Sequence, residues 1–235
     1  MPFSPDQIIS YLDMCSEEGK RSLQSGMNFR LGRDHSVVLM SVRVGAPYED
    51  QVSDDGQILI YEGHNARKSP ETPVPQIVDQ PLTNNSGSLT QNGRFYRAAE
   101  EHRNEGLRPE RVRVYEKIRK GIWVYAGLFL LVDAWTEQSG SRSVCKFKLE
   151  LSPNQHEGLS VEWQSPTQSP GRMIPSEIKL KVWERDGGRC VRCGAQDDLH
   201  LDHIIPFSKG GSSVTDQNIQ LLCARHNLEK SDQII

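Results

Sequence analysis

Cys190-Val-Arg-Cys193, Leu199-His-Leu-Asp-His-Ile-Ile-Pro206, the Gly210-Gly211 pair, Asn218 and Leu221-Leu-Cys-Ala-Arg-His-Asn-Leu-Glu-Lys230 follow one another near the end of the chain. Cys190 and Cys193 form a C-x2-C knuckle, and Cys223 with His226 forms a C-x2-H knuckle. Three thiolates and one imidazole suit a closed, tetrahedral structural zinc site with no place left for water. Such a site contributes roughly 10–16 kcal/mol of apparent binding energy to a module too small for a large core. Between the knuckles, Leu199 to Ile205 reads as a strand stopped by Pro206. Successive side chains of a strand face opposite sides, so Asp202 and His203 share a face only if the strand bends. An imidazole beside a carboxylate, with an amide downstream, suits a general base next to a hard cation, because neutral His accepts a proton at physiological pH and carboxylate oxygen suits magnesium or manganese.

These residues resemble the HNH endonucleases, a ββα-metal nuclease family, over a match from about Ile174 to the C-terminus. The resemblance implies that His203 activates water, that Asn218 orients it, and that Asp202 holds the catalytic Mg2+ or Mn2+. The third motif position falls on Asn227 rather than His. His226 is therefore assigned to zinc and Asn227 to the catalytic cation, an HNN variant. In the alternative register His226 serves the catalytic cation and the zinc site is incomplete. A zinc ribbon that only binds DNA or a partner would use the same knuckles but would leave Asp202, His203, Asn218 and Asn227 unexplained. His200 reads either as a second-shell group or as a surface histidine.

The chain has 235 residues, a formal charge of −3 and 36% hydrophobic residues. That length allows one or two domains, and no apolar run approaches a membrane span. The acidic balance opposes a strong sequence-independent grip on DNA, so nucleic acid would need a local basic patch or a pocket. The N-terminus lacks the basic and apolar regions of a signal peptide. Cys15 and Cys145 read as free buried thiols of a reducing cytoplasm.

Residues 4–16 suggest a helix capped by Ser4, with Pro5 in its first turn and Ile8, Ile9, Leu12 and Cys15 on one face. Short β-runs follow at 36–44, 57–61, 112–115, 122–125, 128–135 and 144–151. The basic stretch 94–120 is interleaved with glutamates and fits a solvated face as well as a phosphate-gripping one. A Ser/Pro/Gln-rich stretch near 154–171, holding Trp163, reads as a linker.

Within the β-rich part stand Gly45-Ala-Pro-Tyr-Glu-Asp50 with Ile60-Tyr-Glu-Gly63, then Asp79-Gln-Pro-Leu-Thr83, then Val124-Tyr-Ala-Gly-Leu128 with Val132-Asp-Ala-Trp135 and Phe147-Lys-Leu149. In order and spacing they are similar to SRA (YDG) domains over roughly residues 25–152, although Tyr125-Ala-Gly127 replaces the signature Tyr-Asp-Gly. The resemblance implies a PUA-like β-barrel that flips a modified cytosine out of the duplex. A flipped base must recover stacking, and its Watson–Crick edge needs an acceptor for the exocyclic amine. Tyr48 and Tyr61 match the stacking pair and Asp50 the edge-reading acid, with Gln51 where the family often has a second acid. Ordinary packing at strand ends is the alternative for the two tyrosines.

The resulting expectation is an α+β chain. It comprises an N-terminal helical segment (1–24), an SRA/PUA-like β-barrel with flanking helices (25–152), a linker (153–172) and a zinc-stabilised ββα-metal (HNH) domain (173–235). The implied activity is modification-dependent cleavage of double-stranded DNA carrying 5-methylcytosine or 5-hydroxymethylcytosine, in restriction or defence, by a homodimer in a prokaryotic cytoplasm. An HNH nuclease indifferent to modification and a non-catalytic reader of modified DNA remain the alternatives.

Overall fold

The computed structural model describes residues 3–31, 34–42, 45–46, 48–53, 56–155 and 173–234. Most of the expected linker, Trp163 included, falls outside them, as do Arg43 and Val44 of the first long β-run. Among the described residues, eight strands form one sheet, seven of them in the order β2-β3-β6-β7-β8-β5-β4, with β1 paired to β7. These are β1 (Ile8–Ser10), β2 (Met27–Asn28), β3 (Ser36–Met40), β4 (Gln51–Val52), β5 (Ile58–Glu62), β6 (Glu110–Arg119), β7 (Ile122–Ser139) and β8 (Arg142–Leu151). The two runs expected at 122–125 and 128–135 are one 18-residue strand. Its ladder with β6 slips at Val114/Tyr115, opposite Gly127, whose φ of 120° only glycine adopts without strain.

The N-terminus departs from expectation. Instead of a helix over 4–16, Ile8–Ser10 is a strand and α1 covers Tyr11–Glu17. Ile8 and Ile9 are β-branched and find pairing partners at Val124 and Trp123. Ser10, not Ser4, caps the helix, in a reciprocal capping box with Asp13. The helix α2 (Gln91–Glu105) is capped by Thr90 and ended by Gly106 at φ 67°. It lays Phe95 and Ala99 on the sheet, against a core that includes Phe129, Leu131 and Phe147. Much of the basic stretch belongs to α2, where Arg97 pairs with Glu101 on an exposed face. Arg113 is buried on β6, 2.8 Å from Glu18, and is unavailable to phosphate.

The C-terminal part is a hairpin of β9 (Leu199–His203) and β10 (Ile219–Cys223), flanked by α3 (Ser176–Arg185) and α4 (Ala224–Lys230). Among the described residues it has no separate core. Ile178, Val182, Leu201 and Leu221 pack in one cluster with Ile118 of β6 and Val124 of β7. Within this contact Lys179 Nζ reaches Glu116 Oε2 at 2.6 Å, both side chains at most 1% exposed. The N-terminal strap adds a second tie. Asp6 N donates to Tyr125 O at 2.9 Å, and Asp6 O accepts from Leu201 N at 3.0 Å, so one residue joins β7 to β9. Asp6 takes a positive φ of 66° to do so. Among the described residues, no helix is long and apolar enough to cross a membrane.

A buried charge stripped of its partner is far more costly than the pair is stabilising. Lys179→Met alone is expected to lower stability in denaturant unfolding by roughly 3–5 kcal/mol. Lys179→Met combined with Glu116→Leu should recover most of that loss.

Candidate functional site

Two cavities on different parts of the fold collect several of the residues singled out in the sequence. The first, of about 440 Å3, is lined by Tyr48, Asp50, Tyr61 and His64, with Gly26 and Trp123 among its other walls. Its geometry comes from two acids that anchor each other's loops. Asp50 Oδ1 accepts from Glu62 N at 3.0 Å and Oδ2 from Ser41 N at 3.1 Å. In return Glu62 Oε2 accepts from Glu49 N at 3.0 Å. Buried Glu62 is balanced by Lys146 Nζ at 3.1 Å and Arg142 Nη2 at 3.2 Å. Its other donor is Gln80 Nε2 at 3.2 Å, from the Asp79-Gln-Pro-Leu-Thr stretch. That stretch therefore secures the pocket's frame rather than its surface. Gln51 is exposed on β4 and does not line the cavity.

Tyr61 is fully buried, and its hydroxyl donates to Gly26 O at 3.0 Å. A Cβ at Gly26 would stand 3.0 Å from His64 Nε2 and 3.1 Å from Tyr61 Oη, so a side chain there would press on both rings of the pocket wall. Tyr48 stacks on His64, with centroids 5.5 Å apart and planes 16° from parallel. Burial pushes the His64 imidazole down to about 4, which keeps it neutral. Burial also pushes the Asp50 carboxyl up to about 6, against the lowering effect of its two backbone donors. His64 was not singled out from sequence. The signal lay in Asn92, whose amide accepts from His64 N and donates to His64 O, both at 2.8 Å, so that α2 fixes the His64 backbone.

The cysteines and His226 meet as a cluster whose ligand atoms all lie within 4.8 Å of one another. Cys190 Sγ and Cys223 Sγ lie 3.3 and 3.4 Å from His226 Nδ1, and Cys193 Sγ lies 3.8 Å from Cys223 Sγ. A tetrahedron built on ~2.3 Å zinc–sulfur bonds has edges of about 3.8 Å, so the Cys3His set fits zinc. Burial opposes ionisation of Cys190. The amides of Cys223, Arg192 and Cys193, with His226, more than offset it and lower the thiol to about 6.

The second cavity, of about 450 Å3, is lined by Asp202, His203, Asn227 and Lys230, with Asp6 and Phe207 at its wall. Asp202 and His203, neighbours on β9, both reach it, because the strand ends at His203 and the chain turns at Pro206. A carboxylate and an amide oxygen beside an open volume fit a hard cation. His203 Nε2 lies 2.8 Å from Ser213 Oγ. Asn218 sits beneath the loop rather than in the cavity. Its Oδ1 accepts from Ile205 N at 2.8 Å, and its Nδ2 donates to Ile205 O at 3.1 Å and Ser212 O at 3.0 Å. His200 faces the N-terminal strap, its Nδ1 3.3 Å from Ser4 Oγ. Lys230 and Gln220 were not assigned from sequence. Both reach Asp202 Oδ2, at 3.2 and 3.0 Å.

Residues 8–155 match the family model of the SAD/SRA domain, more than half of the chain. The chain belongs to the SAD/SRA domain family. Residues 190–233 match the HNH endonuclease model, so an HNH domain follows the SRA fold. Solved structures similar to this chain include the SUVH5 SRA domain with fully methylated CG DNA, at 25% identity and a TM-score of 0.43, covering 65% of this chain and 91% of that one. SUVH5 SRA bound to fully hydroxymethylated CG DNA follows at 23% and 0.44, covering 69% and 92%. KRYPTONITE in complex with mCHH DNA is 19% identical with a TM-score of 0.45, covering 67% of this chain and 34% of that one. The comparison with curated proteins gives no match.

The cluster makes a distinction between neighbouring residues. His226→Ala is expected to remove bound zinc, read by metal analysis of the purified protein, whereas Asn227→Ala should keep a full equivalent. The opposite pattern would assign the two residues the other way round.

Proposed function

We propose that this chain is a modification-dependent DNA endonuclease: the SRA pocket takes a flipped 5-methylcytosine or 5-hydroxymethylcytosine, and the HNH cavity hydrolyses a nearby phosphodiester. The observation that carries this reading is the pairing of an aromatic-and-acid pocket with a separate cavity where Asp202, His203 and Asn227 meet. Tyr48 and Tyr61 stand in the pocket wall, and a base entering it would stack on Tyr48 beside or in place of His64. A carboxylate has about four acceptor positions, and the backbone uses two of Asp50's, leaving acceptor capacity for an exocyclic amine. Unstacking costs a few kcal/mol, which the aromatic walls offset.

In the HNH cavity, His203, whose Nε2 lies 2.8 Å from Ser213 Oγ, would be the base that takes a proton from water. Asn218 acts as a positioning residue, holding the loop from Ile205 to Ser212 that leads to Ser213. A magnesium or manganese ion held by Asp202 and Asn227 would stabilise charge on the phosphate and the leaving oxygen. One such site cuts one strand, so double-strand cutting requires a homodimer or two binding events. The resemblance to SRA–HNH restriction enzymes adds to this reading a role in restriction, in a prokaryotic cytoplasm.

His203→Ala is expected to abolish cutting while leaving the affinity for modified DNA within about twofold. Tyr48→Ala should weaken binding of the modified duplex by roughly 1–3 kcal/mol, the usual worth of one stacked base. Loss of affinity in His203→Ala, or undiminished binding in Tyr48→Ala, would contradict the division of labour between the cavities. Acid has a defined effect as well. The Asp50 carboxylate prevails above about pH 6 and is lost as pH falls through that value. Affinity for the modified duplex in a binding assay should therefore fall below about pH 6. An unfolded Asp titrates near ~3.9, so between ~4 and 6 the folded state binds the extra proton, and Asp50's contribution to folding stability declines as pH rises through that window.

A further inference from the structure

The helix α4 brings a resident cation to Asp202. Lys230 is three residues beyond Asn227, so the two share a face of the helix. Its side chain is 1% exposed, and its Nζ lies 3.2 Å from Asp202 Oδ2 and 3.4 Å from Oδ1. Gln220 Nε2 donates to the same Oδ2 at 3.0 Å. Among the described residues, Asp202 is the carboxylate that pairs with the Lys230 ammonium at close range, and Asp232 feels the same charge from farther away. A buried ammonium without a partner is costly, so the helix and its lysine are built around this one carboxylate.

The consequence concerns charge. Asp202 is itself only 12% exposed, so the pair is weakly screened by solvent. A divalent ion arriving at Asp202 and Asn227 meets a carboxylate already paired, an uncharged amide and a fixed ammonium, while of the other two carboxylates on the cavity wall, Asp6 and Asp232, the second is held by Ser208 Oγ at 2.6 Å and Lys209 Nζ at 3.7 Å. Affinity for hard cations rises with the negative charge of the ligand set, and magnesium sites commonly complete that set with substrate phosphate. We propose that Lys230 is a positioning residue that neutralises Asp202 and keeps the cavity's affinity for a divalent cation low until a DNA phosphate supplies the missing negative charge, so that cation and DNA load together. This rests on the reading of Asp202 as a cation ligand. Its effect is to keep a DNA-cutting site unloaded until substrate is in place.

The test is a Mn2+ titration of the zinc-loaded full chain without DNA, followed by calorimetry or by the EPR signal of free Mn2+. Lys230→Met and Lys230→Gln remove the charge, and the glutamine keeps a hydrogen-bond donor should the methionine variant fail to fold. Both are expected to bind Mn2+ about tenfold more tightly than the wild type, the effect of removing one opposing charge a few ångströms away in a partly solvated site. Lys230→Arg should stay within about twofold of the wild type. In a His203→Ala background, which keeps the modified duplex whole, added DNA should raise the wild-type affinity and narrow the gap to the neutral variants. A lysine that serves only to hold the fold would lower stability without tightening Mn2+ binding. Unchanged or weaker affinity in both neutral variants, with Asp202→Asn abolishing binding, would overturn the role of Lys230 and leave the cation site standing. Wild-type binding in Asp202→Asn would overturn the cation site and this inference together.

Discussion

The contact between Lys179 and Glu116, buried in an apolar cluster shared by both parts of the chain, is the constraint on which the arrangement depends. The β9–β10 hairpin and its two helices are too small to bury a core alone. They complete one by covering Ile118 and Val124 on the outer face of β6 and β7. An ion pair in that contact fixes its register, because a sliding or rotating interface would strand two charges away from water. The strap through Asp6 reinforces it from the other side by hydrogen-bonding β7 and β9 at once.

This joint has a functional consequence. The strand β7 carries Trp123, a wall of the first cavity, and beside it Val124, which packs into the core that the HNH domain shares. The same N-terminal segment that lays Tyr11 against the pocket places Pro5 and Asp6 at the wall of the second cavity. The two cavities are thus held on one framework rather than on a flexible tether. On the proposed reading, the flipped base and the scissile phosphate stand at a set separation.

Much of this was legible in the sequence because the chemistry demanded adjacent residues. The knuckles at Cys190, Cys193, Cys223 and His226 are local spacings, and the structure gathers all four. The motifs that identify the SRA fold are short and ordered, and the family match spans them. What sequence concealed depends on long-range contacts. Ile8 and Ile9 suit a helix face as readily as a strand until β7 is there to pair with them. His64 becomes a pocket residue only through Asn92, 28 positions away. Asn218 reads as a site residue, yet its amide is spent on the Ile205 and Ser212 backbone. Lys230 gave a motif position without a role, since its partner Asp202 lies across the fold on β9.

The most direct measurement is cleavage of matched duplexes that carry a single central cytosine, unmodified, methylated or hydroxymethylated, with Mg2+ or Mn2+ and with chelator, the cut positions being mapped on both strands. The account predicts metal-dependent cutting of the modified duplexes alone, at a fixed offset from the modified base. Equal cutting of the unmodified duplex would contradict the reading of the SRA pocket, and selective binding with no cutting under either metal would contradict the nuclease.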